Sequence, residues 1–375
     1  MGSTNSTRLL MIDGLRGIAA MMVVFFHLYG NLRDSTSSWF PHFLDVMISH
    51  GNIGVQIFFV ISGFVIAYSV GDKQVNLKFI GKFALRRSIR LDPPYWLSII
   101  LAIFLIYLST VLYSDIHREL PSTTTILAHL LYLQDILGYG NIISVYWTLC
   151  LEVQFYLLFV ILLGLIQKAN RVNSTRLALQ STWGKLLLLV LGLLSICNHF
   201  DIYTIGIRHT FLPYWYNFFL GALACWCILG WLKPVYFLIF WVVTLVFTIY
   251  FEYELNSVTT LITAISVFIA GMRNRLSDVF SSLPYQYLGR ISYSLYLFHP
   301  IIGWRVISVG KRHLGPELNI LEGTLLLFSG IMVSILVSHV VFMLVEKPCM
   351  AFSHRIKYIF RTTNAARTPK KNTHI

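Results

Sequence analysis

Charged residues are scarce in this chain of 375 residues. Only 12% of them are Asp, Glu, Lys or Arg, whereas 56% are hydrophobic, and the mean hydropathy is +0.69. Ordinary soluble domains carry about 25% charged residues. This composition excludes a soluble globular domain and predicts an integral membrane protein.

The sequence also lacks the signatures of common cofactor and metal sites. Its five cysteines show neither a disulfide framework nor zinc-ligand spacing, and there is no Walker loop or dinucleotide fingerprint. We therefore expect no metal and no tightly bound cofactor. A cleaved signal peptide is not expected, because Arg16 interrupts the first apolar run and no small-residue cleavage site follows it.

Long apolar stretches predict an all-α, polytopic membrane protein with about ten transmembrane helices. The predicted spans are 9–30, 53–70, 95–113, 143–166, 186–200, 211–232, 234–251, 258–272, 287–309 and 320–345. The fifth and eighth are shorter than the ~17 residues that a span usually needs, so they must borrow flanking residues or tilt little. We expect one membrane domain over residues 1–350 and a basic, disordered cytoplasmic tail over 351–375.

Lysines and arginines are distributed unequally between the two sides of these spans. With the N-terminus inside, 22 lie on the cytoplasmic side, counting Arg290 at the cytoplasmic end of the ninth span, five lie on the opposite side and two lie deeper within spans. Cytoplasmic loops accumulate such residues, so both termini are predicted to be cytoplasmic. The same bias, with attraction to anionic lipid, explains the net charge of +13, and we expect the lipid bilayer rather than nucleic acid as a partner.

Three polar residues interrupt the first span, "DGLRGIAAMMVVFFH". Arg16 and His27 are eleven residues apart, so they lie on one face of a helix, about 16 Å apart along its axis. Asp13 precedes Arg16 by one turn. A local Asp13–Arg16 pair with His27 bonded to a carbonyl would explain them structurally, and a functional site facing the bundle interior would explain them equally well.

Further polar residues stand in or beside later spans. Arg86, Arg87 and Arg90 in "RRSIRLDPPYW" suit either a positive-inside flank or a phosphate site, and Tyr95 in the same stretch is a possible further site residue. Glu152 lies roughly 13 Å into the fourth span, where His27 is its most plausible partner by depth. His299 in "SYSLYLFHP" is a second histidine within a span, and a histidine before proline at a kink is often structural.

These segments together resemble the acyltransferase family 3 membrane proteins. The resemblance rests on "DGLRGIAAMMVVFFH", "GVQIFFVISGFVIA", "RRSIRLDPPYW", "WTLCLEVQFYLLF", "LGRISYSLYLFHP" and the late "EKP" at 346–348, which occur in the family's order. It implies a cytoplasmic acyl-CoA donor, usually acetyl-CoA, and transfer of the acyl group to a hydroxyl. It also implies that His27 is the catalytic histidine, that Glu152 is the family's acidic residue, and that Arg16, Arg86, Arg87 and Arg90 bind the donor. Asp92 and Cys150 depart from the family's usual residues.

The resemblance further implies a multi-pass protein of the bacterial inner membrane. The expected acceptor is a carbohydrate or lipid-linked glycan such as lipopolysaccharide O-antigen, with a macrolide, a Nod factor or peptidoglycan as alternatives. In the expected reaction Glu152 orients the His27 ring, and a covalent acyl intermediate stays open. A proton-coupled secondary transporter is the competing function, since such carriers also hold Arg, Glu and His within their spans.

Overall fold

The structure is a computed structural model. It describes residues 9–113, 119–203, 210–251, 255–315 and 317–356. The described residues contain fourteen α-helices and no strand. These are α1 (Leu10–Thr36), α2 (His42–Ser49), α3 (Gly54–Val70), α4 (Leu77–Leu112), α5 (Thr123–Leu130), α6 (Tyr146–Ala169), α7 (Thr175–Gln180), α8 (Thr182–His199), α9 (Trp215–Ile228), α10 (Pro234–Tyr250), α11 (Leu255–Met272), α12 (Leu283–Leu314), α13 (Ile320–Val341) and α14 (Lys347–Arg355).

A helix lies at each of the ten predicted spans. Seven helical segments in the described part of the chain are long and apolar enough to cross a membrane: 10–36, 42–70, 77–112, 146–169, 182–199, 255–272 and 320–355. The other three helices are α9 with 14 residues, α10 with 17, and α12, which is long but richer in polar residues. Both short predicted spans become helices of 18 residues, α8 and α11, by including flanking residues.

The end of the membrane domain differs from the prediction. The chain continues from α13 through one π-helical turn, Phe342–Glu346, into α14, so the predicted tail begins inside a helix rather than in a disordered segment. Lys347 and Pro348 open α14, and proline is tolerated in a first helical turn. Residues 357–375 of the predicted tail lie outside the described residues.

Helix α4 is longer than the predicted third span. Its 36 residues measure about 54 Å at 1.5 Å per residue, well beyond a hydrocarbon core of about 30 Å. Asn76 caps its first turn by accepting a hydrogen bond from the Phe79 amide at 2.9 Å. The three arginines therefore lie on the helix itself, one to two turns before Pro93 and Pro94.

Two pairs of glycines allow the closest helix packing. At the α1–α12 crossing, a Cβ on Gly17 would lie 2.7 Å from the Gly289 nitrogen, and a Cβ on Gly289 would overlap the Asp13 carbonyl. At the α3–α9 crossing, a Cβ on Gly63 would overlap the Phe218 carbonyl, and a Cβ on Gly221 would overlap the Val60 carbonyl. Small residues at such crossings let backbones approach within a bundle that lipid surrounds.

We expect Gly63→Ala to lower the free energy of unfolding by at least about 1–3 kcal/mol, because the new methyl group pushes α3 away from α9. Thermal unfolding of the purified protein in detergent measures this effect. Gly81→Ala is the matched control, because Gly81 lies inside α4 with no atom within 4 Å of the added Cβ; its better helix propensity should leave stability equal or slightly higher. A Gly63→Ala protein as stable as the parent would contradict the inferred close packing.

Candidate active site

A cavity lined by both charged and apolar side chains lies where α1, α3, α4, α6 and α12 converge. Its charged lining residues are Arg16, Arg87, Arg90 and Glu152. Hydroxyl groups of serine, threonine and tyrosine and several apolar side chains complete the wall: Val55, Phe58, Phe59, Ile61, Ser62, Val65, Leu91, Thr148, Leu149, Tyr156, Ser292, Tyr293 and Tyr296. Residues 280 positions apart in the chain thus meet around one space.

The structure separates the three arginines of α4. Arg87 and Arg90, one helical turn apart, line the cavity, and Arg16 of α1 joins them. Arg86 does not line the cavity; it interacts electrostatically with Lys73 and His354. The spacing within "RRSIR" could not decide between Arg86 and Arg87, because the helix rotation relative to α6 and α12 sets which one faces inward.

Aromatic rings hold Arg87. Its guanidinium carbon lies 4.9 Å from the centre of the Tyr156 ring and 5.6 Å from that of Phe83. A nitrogen of the same group also donates to the Ser69 hydroxyl at 3.5 Å. Such cation–π contacts fix the plane of a guanidinium group, and its N–H groups keep the fork geometry that matches phosphate oxygens.

Glu152 is the acidic group of the cavity. Its carboxylate accepts a hydrogen bond of 2.5 Å from the Ser62 hydroxyl, and it interacts electrostatically with Arg90. The Glu152 side chain on α6 is therefore directed toward α3 and α4. A hydroxyl donor and a nearby cation both compensate the cost of placing a carboxyl group inside a helical bundle.

A second carboxylate, Glu346, supports the arginines from outside the cavity lining. The π-helical turn before α14 places Glu346 against α12, where it accepts a hydrogen bond of 2.6 Å from the Ser294 hydroxyl. Only 2% of Glu346 is exposed, and it attracts Arg16 and Arg90 electrostatically. The late "EKP" segment gave a sequence signal for this residue, but not for its contacts.

The two histidines predicted within spans contact each other. The Nδ1 atom of His27 lies 3.0 Å from the Nε2 atom of His299. Helix α1 is fixed there by Trp304, whose indole N–H donates to the His27 carbonyl at 2.9 Å. His299 is fully buried, whereas His27 is half-buried.

The hydrogen bonds of this pair determine the proton positions. His299 Nδ1 lies 2.9 Å from the Leu295 carbonyl, and a carbonyl only accepts, so His299 Nδ1 carries its proton. The Nε2 atom of neutral His299 is then an acceptor, and His27 Nδ1 must be the donor. In a neutral His27 ring the remaining nitrogen, Nε2, then carries no proton.

The histidine pair lies behind one wall of the cavity. Tyr296 and Phe58 both line the cavity, and their ring centres are 5.4 Å apart. The Tyr296 ring also lies 6.1 Å from the His299 ring, and its hydroxyl is 2.8 Å from the Thr148 hydroxyl. An aromatic wall of Phe58 and Tyr296 therefore stands between the arginines and the histidines.

The expected contact between Glu152 and His27 is wrong. Glu152 is hydrogen bonded to Ser62, and the ring partner of His27 is His299. The depth of a residue along its own helix is available from the sequence. Depth does not show which other helix stands between two residues, and here Tyr296 of α12 occupies that position.

Three other residues singled out in the sequence lie off the cavity. Tyr95 is buried and stacks on Tyr132, with ring centres 4.8 Å apart. Asp92 turns toward Ser88 and accepts from the Tyr132 hydroxyl at 2.9 Å, so its charge points away from the arginines. Asp13 lies at the α1–α12 crossing, where its carbonyl packs against Gly289.

The chemistry of this region suits an anionic ligand. Among the described residues, no group of three or more His, Cys, Asp or Glu residues could hold a metal ion. Three arginines around one cavity match phosphate oxygens. The His27–His299 pair lies behind the adjoining wall.

Comparison with known proteins identifies the family. A model of the acyltransferase family 3 domain, described as "Acyltransferase domain", matches residues 10–339. "Protein 2 in picA locus" of Rhizobium radiobacter is 32% identical over 105 residues, which is 27% of this chain and 47% of that protein. The chain thus covers about half the length of this curated relative. No solved structure matches the chain. Because the family match covers nearly the whole chain, including the arginine cavity and both histidines, the protein belongs to acyltransferase family 3.

Proposed function

We propose that this protein is a membrane O-acyltransferase of the bacterial inner membrane. It moves an acyl group, acetyl from acetyl-CoA, onto a hydroxyl of a cell-surface carbohydrate such as lipopolysaccharide O-antigen. The observation that carries this proposal is the adjacency of an arginine-lined cavity to a histidine whose Nε2 atom is free to accept a proton. Membership of the acyltransferase family supports the reaction class.

In the proposal, the arginine cavity binds the donor. Arg16, Arg87 and Arg90 contact the phosphates of CoA, and Glu152 and Glu346 keep the arginines in place between catalytic cycles. The pantetheine arm then carries the thioester toward the wall of Phe58 and Tyr296. This wall must open for the thioester to reach His27.

His27 is the proposed general base. Its Nε2 atom takes the proton of the acceptor hydroxyl while the hydroxyl oxygen attacks the thioester carbonyl. When the carbon–sulfur bond breaks, the His27 imidazolium returns this proton to the sulfur of CoA, so that an ester and free CoA are formed. A covalent route, in which Nε2 itself first takes the acyl group, would need the same unprotonated nitrogen.

His299 is the proposed positioning residue for this base. It accepts the Nδ1 proton of His27 and thereby keeps Nε2 bare, and it stabilises the imidazolium that forms during transfer. The Leu295 carbonyl accepts the Nδ1 proton of His299 in the same way. The Nε2 atom of His299 is thereby kept as an acceptor for His27. Glu152, which the resemblance assigned to this role, acts instead on the arginine side of the wall in our proposal.

Membranes from cells that express the protein should transfer radiolabelled acetyl from acetyl-CoA into the lipopolysaccharide fraction, and His27→Ala should lower this transfer by about a thousandfold or more because the base is lost. His339→Gln is the matched control, since His339 bonds to Tyr287 away from the cavity, and it should keep near-parental transfer. If the radiolabel is found in a macrolide or a glycolipid fraction instead, that molecule is the acceptor and lipopolysaccharide is not. Parental turnover by His27→Ala would remove His27 from the mechanism.

His299→Leu should lower kcat by about 10²–10⁴-fold while the KM for acetyl-CoA stays close to the parental value, because the proton on His27 is no longer confined to Nδ1. His299→Asn should recover part of the activity, since its amide oxygen can accept the His27 proton. Steady-state kinetics on the detergent-purified proteins measures both effects. Equal kcat for the Leu variant and the parent would show that His299 only packs.

Arg87→Gln and Arg90→Gln should each weaken acetyl-CoA binding tenfold to hundredfold, because a charge-assisted contact contributes roughly 1.5–3 kcal/mol. Arg86→Gln should have a smaller effect, as Arg86 is off the cavity. Direct binding to the purified proteins, repeated with a CoA analogue that lacks a phosphate, shows whether the lost contact is to that phosphate. Arg273→Gln, on an exposed turn, controls for total charge. Undiminished binding by the Arg87 and Arg90 variants would place the donor site elsewhere.

A further inference from the structure

A second cleft, of about 860 Å³, lies between the start of α4 and the end of α6. It shares no lining residue with the arginine cavity. Its wall is formed by Gln74, Val75, Asn76, Leu77, Lys78, Ile80, Ile161, Gly164, Leu165, Gln167, Lys168, Arg171, Val172 and Asn173. None of these residues takes part in the proposed acyl transfer.

The cleft has a fixed shape. Gln167 accepts a hydrogen bond from the Val75 amide at 2.8 Å and donates to the Lys73 carbonyl at 2.9 Å, so it ties the α3–α4 connection to α6. Gly164 permits this close approach, because a Cβ there would lie 2.9 Å from the Val75 carbonyl. The cleft is therefore built by specific contacts instead of being a gap between loosely packed helices.

One side of the cleft is apolar and faces outward from the bundle. Ile161 and Leu165 lie one turn apart on α6 and are 41% and 58% exposed, and Leu77 at the start of α4 is 86% exposed. In a helix that crosses a membrane, such exposed apolar side chains contact lipid chains. Together they form a surface along which one acyl chain can lie.

The rim of the cleft is basic. Lys78, Lys168 and Arg171 are exposed. Arg171 follows the end of α6 with φ of 53°, a left-handed conformation that favours glycine or asparagine.

We propose that this cleft binds an anionic phospholipid. One acyl chain lies on Ile161 and Leu165, and the headgroup phosphate is bound among Lys78, Lys168 and Arg171. The adjacency of an exposed apolar surface and three exposed cations fits a molecule with an acyl chain and a negative headgroup, and basic pockets beside membrane helices bind such headgroups. A free phosphate would use the cations alone and leave the apolar surface without a role.

The test measures retained lipid by native mass spectrometry, after reconstitution in equal parts of phosphatidylcholine and phosphatidylglycerol. The parent should retain phosphatidylglycerol preferentially. Lys168→Gln combined with Arg171→Gln should weaken this retention roughly thirtyfold, the effect expected for two basic residues near an anionic headgroup. Arg176→Gln, which removes a cation on the neighbouring helix α7 outside the cleft, should leave it unchanged.

Two further variants keep the result interpretable. Arg171→Gly removes the charge and relieves the left-handed strain, so it should fold at least as well as the parent yet retain less phosphatidylglycerol. Leu165→Gln should also reduce retention, whereas glycerophosphoglycerol, the headgroup without chains, should not compete. Parental retention by the Lys168 and Arg171 variants, or full competition by the headgroup alone, would overturn the proposal. The readout is lipid rather than turnover, so the result is independent of the proposed function.

Discussion

The close packing of α1 against α12 determines where the main residues of the candidate active site lie. Gly17 and Gly289 bring the two backbones together at one end. Hydrogen bonds then join the helices along their length: Gln286 donates to the Leu10 carbonyl at 2.8 Å, Trp304 to the His27 carbonyl at 2.9 Å and Lys311 to the Asn31 carbonyl at 2.9 Å. This contact turns Arg16 into the cavity and brings His27 against His299. A rotation of either helix would separate both sets of residues at once.

Buried charge is the second constraint. Ionised groups inside a helical bundle are unfavourable unless they are paired and hydrogen bonded. Glu152 and Glu346 meet this requirement, because each accepts a hydrogen bond from a serine and interacts with nearby arginines. With three arginines and two carboxylates in this region, positive charge is in excess. An anionic ligand would neutralise that excess of positive charge.

The site is divided by an aromatic wall. Arginines suited to phosphate lie on one side of Phe58 and Tyr296, and the histidine pair lies on the other. In the proposed reaction the donor and the acceptor would approach from opposite sides, and the wall would control when the thioester meets the base. The hydroxyl contact between Tyr296 and Thr148 links the position of this wall to α6, the helix that carries Glu152.

The sequence by itself determined the class of protein and the residues of interest. Hydropathy places apolar segments wherever lipid requires them, so a helix occurs at each predicted span. Polar residues are rare inside such segments, and this rarity alone distinguishes Arg16, His27, Glu152 and His299 from their neighbours. Glu346 stands out only as part of the family resemblance, because a glutamate at the end of a predicted span is not unusual.

Only the tertiary structure decided which of these residues meet. The period of a helix gives the face and the depth of a residue on its own helix, and this was sufficient to align Arg16 with His27. It contains no information on the rotation of one helix relative to another, so the sequence paired His27 with Glu152 and did not separate Arg86 from Arg87. The packing of α1, α3, α4, α6 and α12 sets those rotations, and it replaced Glu152 by His299 as the partner of His27.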